Sequence, residues 1–134
     1  MYLEALNDKE KELFLSLAYN LSAADKDYSP EERVTVAGYC REMGIDFNMD
    51  KINLSVDEVL DQLNDMCSLQ MKRIIVFEAM RLTMADLDYD EGERAILGKA
   101  IEKFGLDKVY HDKCESLIKE FIALQTKMNE LVIE

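Results

Sequence analysis

The sequence predicts an all-α fold, a single-domain bundle of about six helices with material for a seventh. Three observations predict it. Proline occurs once and glycine five times in 134 residues, apolar residues recur at helical spacing, and one segment is repeated. So few turn-forming residues disfavour a many-stranded sheet. A chain of this length is expected to form one domain, here residues 1–134.

The repeated segment predicts how the bundle is built. Residues 24–33 return at 85–94 without a gap, an offset of 61 positions. The similarity extends over residues 13–46 and 74–107, which indicates two copies of one supersecondary unit. We therefore expect two pseudo-repeated helical hairpins, followed by a long C-terminal helix.

Capping residues predict where the helices begin. Serine, aspartate or asparagine precedes each apolar-periodic stretch, in places with a glutamate three residues later that can complete a capping box. Gly44 and Gly105 are expected to end the second and fifth helices in a left-handed conformation. Ile45–Leu54 is the least regular part. The predicted caps are Asn7 or Asp8, Ser29, Ser55, Ser68, Asp90 and Asp107.

Two helices differ from the ordinary amphipathic pattern. The fourth, from about Leu69 to Ala85, is apolar nearly all round, which is typical of the buried centre of a bundle. The last carries apolar residues alternately four and three apart, a coiled-coil-like seam. This seam fits either one long helix packed on the bundle or a homodimer through the C-terminal helix. The seam consists of Tyr110, Cys114, Leu117, Phe121, Leu124, Met128 and Leu131.

Charge and composition limit the classes of partner and the cellular location that we expect. A net charge of −12 opposes direct binding to nucleic acid or anionic lipid, so a protein partner is expected. No apolar run approaches the ~18 residues of a membrane span, and the start does not resemble a signal peptide. The three cysteines form no C-x-x-C pair, which indicates reduced thiols in a cytoplasmic protein.

Both copies of the repeat place carboxylates on a short turn. Hard cations such as Ca²⁺ or Mg²⁺ prefer several carboxylate oxygens from a short, bent piece of backbone. Residues 86–90 resemble the start of an EF-hand loop, but Glu91 stands where glycine is needed and Leu97 where the bidentate glutamate belongs. The candidate metal ligands are Asp25, Asp27, Glu32, Asp86, Asp88, Asp90 and Glu93.

The same carboxylates have a structural interpretation that needs no metal. Acidic residues at a helix start stabilise it by about 0.3–1 kcal/mol. Ser29 with Glu32 and Asp90 with Glu93 are explained as capping pairs. Asp25 and Asp86 each lie four residues before the cap of their copy, where capping alone does not require them. The sequence leaves the cation site and the capping role both open.

Three further kinds of residue bear on function. Glu78 lies on an apolar stripe, so it is either paired with Arg81 or Arg73 or a functional carboxylate. His111, the only histidine, is expected at the surface. Tyr28 and Tyr89 precede the caps, where a hydrophobic staple is made. Neither a phosphate-binding glycine loop nor a nucleophile elbow occurs, so the sequence gives no catalytic signature and predicts no enzyme.

The doubled pattern A-D-x-D-x-x-x-x-E, each copy followed about ten residues later by glycine, resembles the TerB-like family of tellurite-resistance proteins. Relatives of that domain also occur in membrane-anchored DnaJ-like co-chaperones. The resemblance implies an all-helical binding or sensing module of a bacterial stress response, with a divalent-cation site at the acidic turns. Lys26 and Leu87 stand where the family usually has glycine. The alternative is a metal-free protein-interaction domain, of scaffold or co-chaperone type, using the acidic face or the C-terminal helix.

Overall fold

The protein is a helical bundle, as predicted. The computed structural model describes residues 1–24, 30–46, 54–85 and 89–133, except for the side chains of residues 23, 24, 31 and 32. Six α-helices and one short 3-10 helix make up the regular structure of these ranges. They are a 3-10 helix at Leu3–Ala5, α1 Asp8–Ala24, α2 Pro30–Met43, α3 Val56–Met66, α4 Leu69–Thr83, α5 Glu91–Lys103 and α6 Lys108–Ile133.

Most helix starts follow the predicted caps. Asn7 caps α1, because its side chain accepts from the Glu10 N–H and the Glu10 carboxylate accepts from the Asn7 N–H, both at 2.8 Å. Asp107 caps α6 by accepting from the Tyr110 N–H at 2.8 Å. Such caps satisfy the N–H groups left unpaired at a helix start. The caps of α3, α4 and α5 are Ser55, Ser68 and Asp90.

The structure differs from the sequence prediction in one element and one boundary. It adds a 3-10 helix at Leu3–Ala5, and α4 ends at Thr83 rather than near Ala85. Gly44 and Gly105 adopt the predicted left-handed conformation, with φ of 69° and 70°. The predicted cap Ser29 and most of the irregular stretch before Leu54 lie outside the described residues.

Helices α1 and α2 form an antiparallel hairpin that packs on α4. The ends meet where Lys11 Nζ donates to the Met43 carbonyl at 3.1 Å. The middles meet where the Phe14 and Tyr39 rings lie 5.3 Å apart. The Tyr39 hydroxyl then donates to the Glu78 carbonyl of α4 at 2.6 Å. Burial raises the pKa of Tyr39 well above 10.0, with the Glu78 charge adding to the effect, so this donor stays protonated.

The core runs along α4, as its apolar sequence predicts. This helix contacts α1, α2, α5, α6 and the 3-10 helix. Burial of the apolar side chains that α4 shares with these neighbours stabilises their packing. The fully buried large side chains of the core are Leu3, Leu13, Phe14, Leu17, Leu21, Leu63, Ile75, Met80, Leu82 and Leu97.

Candidate functional site

The two acidic turns lie at the joint between α1 and α2 and at the joint between α4 and α5. The structure describes the side chains of only two of the seven candidate metal ligands, Asp90 and Glu93. A Ca²⁺ or Mg²⁺ site at these turns therefore stays a prediction. The candidates outside the described side chains are Asp25, Asp27, Glu32, Asp86 and Asp88.

Asp90 and Glu93 form the predicted capping box at the start of α5. The Asp90 carboxylate accepts from the Glu93 N–H at 2.8 Å, and the Glu93 carboxylate accepts from the Asp90 N–H at 3.2 Å. The Glu93 side chain is buried. One oxygen of each carboxylate is thus used by the backbone of α5, which confirms the structural role of this pair.

Tyr89 contacts the residue at the staple position of α5, but that residue is charged, so the contact is not the predicted hydrophobic staple. A staple joins the residue before the cap to the fourth residue of the helix, here Arg94. The Arg94 guanidinium carbon lies 4.1 Å from the Tyr89 ring centroid, and Arg94 Nε donates to the Tyr89 carbonyl at 3.2 Å. The contact is therefore a cation–π interaction. The equivalent Tyr28 lies outside the described residues.

His111, expected at the surface, is only partly exposed. Its side chain is 15% exposed and its ring centroid lies 5.9 Å from that of Tyr89. The His111 Nε2 atom lies 2.9 Å from the Tyr89 hydroxyl, and Nδ1 lies 3.0 Å from an Asp112 oxygen. Burial raises the pKa of Tyr89 above its ordinary 10.0. The phenol is therefore neutral at physiological pH and is not an activated nucleophile.

His111 also belongs to a group that a metal ion could bridge. Ligand atoms of His111, Asp112 and Glu115 all lie within 4.8 Å of one another. However, Arg94 Nη2 already donates to Glu115 at 2.7 Å, and this bond lowers the pKa of the Glu115 carboxyl below 4.5. Since a guanidinium neutralises the carboxylate, we interpret this cluster as the polar contact that joins α5 to α6.

Glu78 is fully buried and paired with Arg81, the first of the two partners that the sequence suggested. Arg81 Nη1 lies 3.1 Å from one Glu78 oxygen and 3.3 Å from the other. The amino group of Met1 lies 3.4 Å from the second oxygen and 2.8 Å from Glu42. The carboxylate is thus neutralised inside the bundle, and its role is structural.

The long helix α6 packs on the bundle only with its first half. Cys114 and Ile118 are 4% and 2% exposed, and the Tyr110 hydroxyl donates to the Arg73 carbonyl of α4 at 2.7 Å. The predicted packing of one long helix on the bundle therefore holds for this half only. Beyond Ile122, every described residue of α6 is exposed.

A row of large apolar side chains on α6 is left exposed, and we call it the α6 stripe. Its members are between 42% and 85% exposed. The row lies on a different face of α6 from the buried residues Cys114 and Ile118. It also continues beyond Ile122, where the helix no longer packs on the bundle. Apolar residues this closely spaced on one helix face mark an interaction surface more often than isolated ones do. The α6 stripe consists of Leu117, Phe121, Leu124, Met128 and Leu131.

An open groove of about 630 Å³ runs beside the stripe, between α4 and α6. Its apolar walls include Ile74, Phe77 and Leu117. Cationic side chains border it, and one of them, Arg81, lies over the Phe121 ring at 5.9 Å. The groove therefore extends the apolar surface of the stripe onto the body of the bundle.

Comparison with known proteins finds no matching family model, no matching curated protein and no matching solved structure. The resemblance to the TerB-like family therefore rests on the doubled acidic pattern alone. Within the part of the chain that the structure describes, no helix has the length and apolar character needed to cross a membrane.

Proposed function

We propose that this chain is a protein-interaction module and that it binds its partner through the α6 stripe and the adjoining groove. The observation that carries the proposal is the exposure of the stripe, whose five large apolar side chains are 42–85% exposed on a helix that packs on the bundle with its first half. Removing such surface from water is the main source of free energy in protein association.

The geometry of the surface favours a helical partner. The stripe repeats every seven residues in steps of four and three, which is the spacing that a second helix can match along its length. The groove of about 630 Å³ lies alongside and offers an apolar floor for the same partner. Docking of an apolar helix face into such a groove is a common mode of peptide recognition.

Site-specific photo-crosslinking in the native host tests this proposal. A photoreactive residue at Leu124, within the stripe, should give a discrete protein adduct. The same residue at Lys9, on the exposed side of α1, should not. Introducing Phe121→Glu should abolish the adduct at position 124. Failure to obtain an adduct at 124, or an equal adduct from position 9, would reject the interaction surface.

A second candidate function is cation sensing in a stress response of the TerB type. The observation in its favour is that the doubled acidic pattern lies in the connection that precedes α2 and in the one that precedes α5. Four aspartates at such turns could supply oxygens to Ca²⁺ or Mg²⁺. The stress-response setting and the cytoplasmic location stay predictions that follow from the resemblance and from the cysteine pattern.

Titration with Ca²⁺ or Mg²⁺ while following backbone amide shifts tests the second candidate. We expect shifts around Asp25 and Asp86 that saturate below millimolar metal and that Asp86→Asn with Asp88→Asn weakens. Asp57→Asn, which changes an exposed carboxylate on α3, is the matched control. No shift near either turn at millimolar metal would remove the cation site and leave the interaction surface untouched.

A further inference from the structure

We propose that the partner of the α6 stripe is α6 of a second copy of this chain, aligned antiparallel about a two-fold axis between residues 122 and 123. The inference rests on the proposed interaction function and specifies its partner. It is carried by two features of α6, the spacing of its exposed apolar residues and the alternation of charge along their flank.

The apolar spacing is self-complementary in the antiparallel direction. In antiparallel pairs of helices, each layer joins the two unlike positions of the heptad. Centring the helices between residues 122 and 123 places Leu117 against the partner's Met128 and Phe121 against the partner's Leu124. Because the axis is a two-fold, each contact occurs twice and gives four consecutive layers. All four side chains are among those that the bundle leaves exposed.

The flank of the stripe carries charges of alternating sign. Lys113, Glu120 and Lys127 are spaced seven residues apart, each one position before the heptad's first apolar residue, and all three are exposed. In an antiparallel pair, side chains at this heptad position face side chains at the same heptad position of the partner helix. In the proposed register, Glu120 therefore faces the partner's Lys127, and this ion pair also occurs twice.

Other alignments lack this match. Sliding the partner by one heptad places either Glu120 against the partner's Glu120 or Lys127 against the partner's Lys127. A parallel pair would set the three charged residues opposite uncharged ones on the other flank: Ile118, Gln125 and Val132. Like charges disfavour the shifted registers, and a parallel pair lacks the attractive pairs, so the alternation selects both the register and the direction.

The groove on the bundle accommodates the end of the partner helix. In the same register, the partner's Leu131 lies level with Cys114, where α6 is already packed on α4. At the level of Cys114, the groove between α4 and α6 is open to solvent and has apolar walls at Ile74 and Phe77. The proposal thus accounts for both the exposed second half of α6 and the apolar groove beside its first half.

Sedimentation equilibrium of the full chain tests the pairing, and a charge swap tests the register. Wild type should dimerise reversibly, and Leu124→Glu should be monomeric at the same concentration. Glu120→Lys and Lys127→Glu should each raise the dimer dissociation constant by about tenfold or more, since two attractive pairs become repulsive. The double variant should return to within about threefold of wild type, because the pairs are restored. Circular dichroism should be unchanged throughout, since both residues are exposed.

The outcomes separate this inference from the proposed function. A wild-type monomer at 100 µM, a concentration chosen for the assay, would overturn the self-pairing. A dimer that is insensitive to both single swaps, or a double swap that fails to restore it, would overturn the antiparallel register. An adduct at position 124 with a different protein, with the isolated chain monomeric, would leave the interaction module standing without its self-pairing. Absence of both dimer and adduct would end both proposals.

Discussion

Removing the side chain that neutralises Glu78 should strongly destabilise the bundle. The perturbation is Arg81→Met, which keeps the aliphatic stem and deletes the guanidinium. It leaves a fully buried carboxylate whose remaining cationic partner, among the described residues, is the Met1 amino group at 3.4 Å. Breaking a buried ion pair by removing one partner typically costs about 3–5 kcal/mol. Because Arg81 is itself 23% exposed and the amino group remains, we expect the lower end of this range.

The assay is thermal and urea denaturation followed by circular dichroism at pH 7. A loss of about 3 kcal/mol corresponds to a fall in Tm of about 12 °C, taking about 4 °C per kcal/mol for a domain of this size. Arg73→Met is the matched control, because Arg73 lies on the same helix and its side chain is exposed. It should change the free energy of unfolding by less than about 0.5 kcal/mol.

A double-mutant cycle identifies the pair as the cause. Glu78→Gln combined with Arg81→Met should be less destabilised than Arg81→Met alone, since the buried charge is removed together with its partner. Equal losses for Arg81→Met and Arg73→Met, or strictly additive losses in the cycle, would refute the assignment of Arg81 as the neutralising partner.

Three further predictions concern the polar contacts. Asp90→Ala removes the cap of α5 and should cost about 1 kcal/mol in urea denaturation, whereas Asp90→Asn should cost less. Burial, with the Glu10 carboxylate adding to it, raises the pKa of the Cys67 thiol from 9.0 to about 12. The stability linked to this thiol is therefore fully present below pH 9 and is lost as pH rises toward 12, and alkylation at pH 8 should be slow until the protein unfolds. Arg94 lowers the pKa of Glu115, so the stability linked to that carboxylate is present above pH 4.5 and is lost as pH falls below it. Glu115→Gln should reduce this loss of stability at low pH. An unchanged loss would show that the bond to Arg94 contributes nothing to stability.

The helices could be predicted because their signals are local. A cap such as Asp107 and a stop such as Gly105 act within one turn of their own helix, and the structure places both as expected. The central position of α4 also followed from its composition. The 3-10 helix at Leu3–Ala5 was missed because three residues are too few to show a period.

The contacts between helices could be predicted only in part. The pairing of Glu78 with Arg81 is visible in the sequence because the two residues are one helical turn apart. The contact between Tyr89 and His111 joins residues 22 positions apart on different helices, so nothing in the local pattern indicates it. For α6, the seam was recognised, but which of its residues face the bundle depends on where the helix leaves α4.

Because α6 is anchored by its first half only, the side chains that stabilise the fold and those that take part in the proposed self-pairing are different residues of one helix. Substitutions at Cys114 or Ile118 should lower the melting temperature, whereas those at Met128 or Leu131 should leave it unchanged at dilute concentration. Substitutions beyond Ile122 are thus little constrained by folding. A thermal-shift screen of variants at dilute concentration would therefore detect changes at the bundle-facing residues of α6 and miss changes beyond Ile122.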